Sequence, residues 1–119
     1  MTRTSALSNQ SAPWALATAD LFGVTARILD DGELLAERLD GALSVFIGAI
    51  EWRAHRFVPR GVSLVGTALG GRVIVHTWPE REALTIDLYG AKEDAERTLG
   101  AGVERFLHAD RASVSTRAV

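Results

Sequence analysis

Two side chains in the middle of the sequence have the chemistry of an acid–base catalyst. His76 lies in the block VHTWPE at residues 75–80, and Ser63 ends the block HRFVPRGVS at residues 55–63. A histidine with a serine within reach can act as a general acid or base. A core histidine, hydrogen-bonded to a neighbouring strand, is an equally good interpretation. The pattern therefore indicates either proton transfer at His76 and Ser63 or a structural histidine.

The two blocks, together with IDLY at residues 86–89, resemble the core of the bacterial S-adenosylmethionine decarboxylase family. In that family a serine five residues before the histidine is cut and dehydrated to a pyruvoyl group, the electrophile of the reaction. The resemblance implies that His76 serves this self-processing step and that Ser63 lies near the reacting group. It also places Gly71 where the family has the pyruvoyl-forming serine and Ala91 where it has the catalytic cysteine. The chain resembles a divergent member that lacks both.

The absence of a hydroxyl at Gly71 decides which chemistry is excluded. Decarboxylation of an amino acid needs an electron sink such as an imine to a pyruvoyl or pyridoxal carbonyl. Glycine cannot form a pyruvoyl group, and Thr67 lies about 13 Å away along a strand. Lys92 is the only lysine, and its place at the start of a helix predicts a solvated side chain rather than a Schiff base. We therefore predict an uncut chain with no cofactor.

By the same resemblance, Phe57, Trp78 and Glu80 line or border the substrate pocket. Either aromatic residue, taken alone, is more often simple core. Gly70 replaces an acidic residue that commonly precedes the family's active serine. We therefore expect a small-molecule ligand other than S-adenosylmethionine, bound in a site with His76 and Ser63 as its catalytic residues.

Composition excludes several other classes of function. There is no cysteine, so disulfides, thiolate nucleophiles and thiolate metal sites are ruled out. The three histidines are not at short metal-ligand spacing, which predicts no metal site. The net charge of −2 and the scattered arginines indicate no nucleic-acid partner. No apolar tract is long enough for a membrane span, so we expect a cytoplasmic protein.

The elements that must position these residues follow from turn and periodicity signals. Residues 1–12 are polar and predict a flexible N-terminal tail, which leaves a single domain over 13–119. Residues 14–24 predict a strand. Asp30 and Glu33 then resemble a capping box before a helix that buries Leu35 and Leu39 on one face. Four strands follow at 49–58, 62–69, 72–78 and 83–89. An amphipathic helix at 93–107, whose inward face is predicted to carry Ala95, Leu99, Val103 and Phe106, precedes an edge strand at 112–116.

This order predicts an α+β fold, in which a two-layer domain has an antiparallel sheet and both helices on one face. The short turns between the middle strands require antiparallel hairpins. Strands 73–75 and 84–88 are apolar on both faces, so we expect the second face to be covered by a second copy. The family resemblance implies the same αββα homodimer.

Three functions remain open at this point. The first is a pyruvoyl-free enzyme of lyase, isomerase or cyclase type in a biosynthetic pathway. The second is a non-catalytic regulatory partner that pairs with an active decarboxylase paralogue in polyamine synthesis. The third is a metabolite-binding protein.

Overall fold

The computed structural model describes residues 14–91, 99 and 103–118. The predicted tail, residues 1–12, lies outside the described residues. Most of the predicted second helix, at 92–98 and 100–102, also lies outside them.

A six-stranded antiparallel sheet forms the centre of the molecule. Its strands are β1 Trp14–Phe22, β2 Glu51–Arg56, β3 Val62–Ala68, β4 Gly71–Trp78, β5 Ala83–Ala91 and β6 Arg111–Ala118. They lie in the order β2-β3-β4-β5-β1-β6, which confirms the predicted meander from β2 to β5. Strand β1 lies inside the sheet, because it pairs with β5 on one side and with β6 on the other.

The helices are α1 Ala26–Leu29, α2 Gly32–Ile47 and α3 Val103–Phe106. The N-cap of α2 is Asp31, whose carboxylate accepts a hydrogen bond from the amide of Leu34. The predicted cap, Asp30, is one residue too early, because the short helix α1 ends at Leu29 and Asp30 is its C-cap. This shift frees the carboxylate of Asp30 for another contact, described below.

One face of the sheet packs against the helices. Along β4 the burial alternates, so that Val73 and Val75 are fully buried while Ile74 and His76 are exposed. The residues of α2 that meet this inner face are Leu35, Leu39, Ala42, Leu43 and Ile47. The predicted α+β fold with its helices on one face is confirmed.

The C-terminal helical region contributes Leu99, Val103 and Leu107 to the same core. The first two were predicted to point inward. The prediction for Phe106 is wrong, because its side chain is 44% exposed and Leu107 occupies the buried place next to it. Val103 and Leu107 are four residues apart and are both buried, which leaves Phe106, the last residue of the helix, beside the inward face.

The other face of the sheet, the outer face, is uncovered in the single chain. It exposes several large apolar side chains, namely Trp14, Val65, Ile74, Trp78 and Tyr89. Trp14 and Tyr89 stack on each other with ring centroids 5.3 Å apart. Within the described part of the chain, no helix is long and apolar enough to cross a membrane.

Candidate functional site

Ser63 and His76 lie side by side on the outer face. The hairpin of β3 and β4 turns at residues 69–70, and this turn pairs Ala68 with Gly71 and Ser63 with His76. The hydroxyl oxygen of Ser63 lies 2.8 Å from Nδ1 of His76. The interpretation of His76 as a core histidine is wrong, since the ring is exposed and its partner is a side chain.

The turn that leads into β3 is held in place by two polar contacts. The amide of Gly61 donates a hydrogen bond of 2.8 Å to the carboxylate of Asp30. The amide of Val62 donates to the hydroxyl of Thr77 at 2.9 Å, and this buried hydroxyl donates in turn to the carbonyl oxygen of Leu29. Gly61 has a φ of 106°, which favours glycine at this position. The turn is thus tied both to β4 and to the helix layer.

A cavity of about 270 Å³ opens between this turn and the end of β4. We call it the histidine pocket, and its side chains are those of Phe57, Arg60, Ser63, His76, Trp78 and Glu80. All five residues proposed from the sequence therefore line one cavity, which lies at the lower end of the size range of small-molecule sites.

The two aromatic residues of the histidine pocket are not core residues. Phe57 is 47% exposed and Trp78 is 41% exposed. Phe57 packs edge-on against His55, with ring centroids 4.6 Å apart. The core interpretation, which is more common for either residue taken alone, is wrong because both lie where strands end on the uncovered face.

The pocket has the parts needed for proton transfer. When the Ser63 hydroxyl donates to Nδ1 of His76, its oxygen keeps lone pairs that can accept a proton from a bound molecule. As the oxygen accepts that proton, the serine's own proton can pass to the imidazole, so the pair can act as an acid–base relay.

Polar contacts also cross the centre of the outer face. Thr85, which pairs with His76 on its other side, donates a hydrogen bond of 2.8 Å to Asp20. Thr18 donates one of 2.8 Å to Asp87. The carboxylate of Asp87 is therefore held by a threonine hydroxyl of the neighbouring strand.

The other end of β4 begins at Gly71, directly after the turn that contains Gly70. Gly71 alternates with the buried Val73 and Val75, so it lies on the face of the sheet that meets the helices. A Cβ atom built on Gly71 would lie 2.7 Å from the carbonyl oxygen of Tyr89, and one on Gly70 would lie 2.9 Å from that of Ile47. These are backbone contacts that no side-chain rotation relieves. We call Gly70, Gly71 and Ala91 the glycine end. None of these three residues has a hydroxyl or a thiol, and a side chain at Gly71 would meet backbone. The expectation that Thr67 lies about 13 Å from residue 71 is wrong, because the β3–β4 hairpin pairs Thr67 with Arg72, next to Gly71.

The structure does not bring the two ends together. Gly71 and His76 are five residues apart on the same straight strand, which separates them by about 17 Å. Within a single chain, His76 therefore cannot act on an atom at position 71.

Sequence reasoning missed Arg60, Thr77 and Asp30. Arg60 lies in the Pro-Arg-Gly turn next to Phe57, so its place in the turn was a usable signal. Thr77 follows His76, and its buried hydroxyl holds the turn through the amide of Val62. Asp30 is remote in sequence, and only the folded chain brings it to Gly61. Among the described residues, no group of three or more acidic or histidine side chains forms a candidate metal site.

The chain is similar in sequence to known proteins. The sequence profile described as S-adenosylmethionine decarboxylase matches residues 15–117. An S-adenosylmethionine decarboxylase proenzyme of Picrophilus torridus is 30% identical over 82 residues, which are 66% of this chain and 63% of that protein. An arginine decarboxylase proenzyme of Ignicoccus hospitalis is 34% identical over 92 residues, or 73% of this chain and 64% of that protein. The chain thus spans less than two thirds of these relatives.

A solved structure is similar over most of its length. The crystal structure of the adenosylmethionine decarboxylase from Aquifex aeolicus superposes with a TM-score of 0.73 at 26% identity, covering 89% of each chain. The arrangement of sheet and helices is therefore shared with that protein.

Proposed function

Because the chain belongs to the S-adenosylmethionine decarboxylase family, we propose that it is an unprocessed, pyruvoyl-free member with a different reaction. It binds a small metabolite of a biosynthetic pathway in the histidine pocket and converts it by proton transfer, in a lyase, isomerase or cyclase reaction. His76 and Ser63 are the catalytic residues, and Phe57, Trp78 and Glu80 bind the substrate. The observation that carries this proposal is the contact of 2.8 Å between Ser63 and His76 inside a cavity with two half-exposed aromatic rings.

The glycine end supports the loss of the decarboxylase reaction. A pyruvoyl group arises from a side-chain hydroxyl, and residue 71 has no side chain. The close approach of the Tyr89 carbonyl oxygen to Gly71 also indicates that the backbone at residue 71 is packed too closely for a side chain. Proton transfer needs no electron sink, so the histidine pocket can work without the lost group.

The proposed reaction uses the relay in one direction and then in reverse. The Ser63 oxygen takes a proton from the substrate while its own proton moves to Nδ1 of His76. The pair then returns a proton at a second atom of the product, so no net charge is left on the protein. Aromatic walls and the carboxylate of Glu80 hold the substrate so that the donor and acceptor atoms meet the relay.

Incubation with a metabolite extract tests the proposal directly. The wild-type protein should deplete one small molecule and form one product, as measured by untargeted mass spectrometry. His76→Ala and Ser63→Ala should each lower the rate at least about 100-fold, because general acid–base catalysis contributes factors of that size. Their circular dichroism spectra and melting temperatures should stay close to wild type, since both side chains lie on the exposed face.

The same preparations test the absence of a pyruvoyl group. Intact-mass measurement should give a single species at the full 12.8 kDa, with no carbonyl that reacts with hydrazines. Two fragments split near residues 70–71, or carbon dioxide released from S-adenosylmethionine, would show that the proposal is wrong.

We further propose that a second copy covers the outer face to form an αββα homodimer. The exposed apolar residues Val65 and Ile74 are cross-strand neighbours in the middle of this face. Exposed apolar patches of this kind mark interaction sites on soluble proteins. A second chain would also enclose the histidine pocket, which is open to solvent in the single chain.

A charge placed on the outer face tests the homodimer. Ile74→Glu should convert a species of twice 12.8 kDa to one of 12.8 kDa in light scattering, because a buried unpaired carboxylate is unfavourable in an interface. Val45→Glu is the matched control, since Val45 is 79% exposed on α2, on the side of the helices. Equal effects of the two variants, or a wild-type monomer, would contradict the proposal.

A regulatory partner of an active decarboxylase is the second candidate. The separation of about 17 Å between His76 and Gly71 favours it, because a site that needs both ends must draw them from two chains. A mixed dimer would combine this chain's histidine pocket with the serine of an active paralogue. Co-expression with such a paralogue should then raise its decarboxylase rate, and His76→Ala should abolish the increase. A plain metabolite-binding protein, by contrast, would bind its ligand without converting it.

A further inference from the structure

The histidine pocket contains a charged residue to which the proposed reaction gives no role. Arg60 lines the cavity together with Ser63 and His76. It forms no hydrogen bond or ion pair with any residue that the structure describes. Arg60 is exposed to solvent and has no counter-ion among the described residues, so a molecule in the cavity can reach its guanidinium.

The backbone on either side of Arg60 is fixed. The amide of Phe57 donates to the carbonyl oxygen of Gly61 at 2.9 Å, which closes the turn. The amide of Gly61 is held by Asp30, and that of Val62 by the buried hydroxyl of Thr77. The arginine therefore extends from an anchored turn next to the cavity, and a ligand need not order the backbone to use it.

The acidic groups nearby do not neutralise it. Asp30 is already committed to the amide of Gly61, and its second oxygen lies 3.9 Å from Arg56. Glu80 lines the same cavity but makes no ion pair within the described residues. The cavity thus keeps one positive and one negative group for a bound molecule.

We infer that the ligand of the histidine pocket carries a carboxylate or a phosphate, and that Arg60 binds it. The guanidinium presents paired N–H donors that match the two oxygens of either group. Glu80 receives a hydroxyl or amine of the same ligand, so the two charges fix its orientation over Ser63 and His76. This inference rests on the proposed ligand pocket and specifies the chemical class of its substrate.

Titrations with inorganic phosphate and with acetate test Arg60 without knowledge of the natural ligand. In nuclear magnetic resonance spectra recorded at constant ionic strength, both anions should shift the amide signals of Gly61 and Ser63 and the indole signal of Trp78. The shifts should saturate in the millimolar range expected for a small, weakly held probe. If only one of the two anions gives saturable shifts, that anion identifies whether the ligand carries a carboxylate or a phosphate.

Variants separate a specific site from general attraction. Arg60→Gln should weaken phosphate binding about tenfold, because a charge-assisted bidentate contact is lost. Arg60→Lys should retain part of the affinity, since the charge stays but the paired donors do not. Glu80→Gln should tighten binding about twofold by removing a like charge. Arg27→Gln removes the same charge from a residue of α1 that does not line the pocket, and it should change nothing.

Equal affinity of Arg60→Gln and wild type for both anions, or no saturable shift with either, would overturn the inference. That outcome leaves the proposed function standing if His76→Ala still abolishes conversion of a neutral metabolite. Conversely, phosphate bound at Arg60 in a protein that converts no metabolite would support the anion site and defeat the proposed reaction.

Discussion

The histidine pocket and the glycine end lie at opposite ends of strand β4, and they have opposite characters. The pocket keeps a serine, a histidine, two aromatic rings and two charges around one cavity. The glycine end offers only backbone and a methyl group where the resembling family has its reactive serine and cysteine. The difference teaches that a chain of this family can keep His76 and Ser63 in contact while residues 71 and 91 carry neither a hydroxyl nor a thiol.

Restoring the serine is the strongest way to break this comparison. Gly71→Ser should lower the free energy of unfolding by about 3 kcal/mol, because its Cβ would lie 2.7 Å from the carbonyl oxygen of Tyr89 and the backbone must move. We expect no cleavage, since Gly70 still replaces the acidic residue that commonly precedes the family's serine and the backbone leaves no room for a side chain at residue 71. Denaturant unfolding and intact mass measure the two effects.

Gly41→Ser is the control for that experiment. A Cβ at Gly41 meets the ring of Phe106 at an ordinary 3.5 Å, and serine is a better helix former than glycine. It should leave stability unchanged or slightly raised. A stable Gly71→Ser protein that splits into two fragments would contradict this expectation, because it would show that a hydroxyl at residue 71 is enough to restore self-processing.

Removing the support behind the histidine pocket should have the next largest effect. Thr77→Val leaves the amide of Val62 without its partner in a buried place and should cost about 2 kcal/mol in denaturant unfolding. Thr67→Val makes the same change on the exposed face near the glycine end and should stay within about 0.5 kcal/mol. Similar costs for both would mean that the buried hydroxyl does not hold the turn.

The smallest expected effect concerns Asp30. Asp30→Ala removes the acceptor for the amide of Gly61 and should cost about 1 kcal/mol, with faster hydrogen exchange at that amide. Asp30→Asn keeps an acceptor oxygen and should cost less than about 0.5 kcal/mol, because the pair with Arg56 is long and solvent-exposed. Exchange at the Gly61 amide that is unchanged in Asp30→Ala would contradict this role for the carboxylate.

Much of the fold could be predicted because it depends on local signals. Alternation and short turns were enough for the meander, and helical spacing was enough for the buried face of α2. The place of β1 between β5 and β6 could not be predicted, since the pairing of strands distant in sequence leaves no local mark.

The position of the turn between β3 and β4 determines which residues meet at the site. A turn at Gly70 and Gly71 would place Ser63 opposite Trp78, whereas the observed turn at residues 69–70 places it opposite His76. The motif therefore supplied the residue types, and the hairpin register supplied their contact. The resemblance identified Phe57, Trp78 and Glu80 as pocket residues, but Asp30 required the folded chain.

The histidine pocket is built from one uninterrupted stretch, Phe57 to Glu80, that makes a single hairpin with its flanking turns. The groups that hold its turn lie outside this stretch, because Asp30 accepts from the Gly61 amide and the Leu29 carbonyl oxygen accepts from the Thr77 hydroxyl. A scaffold that received the hairpin by transplantation would therefore need two such acceptors behind the turn to keep the shape of the cavity.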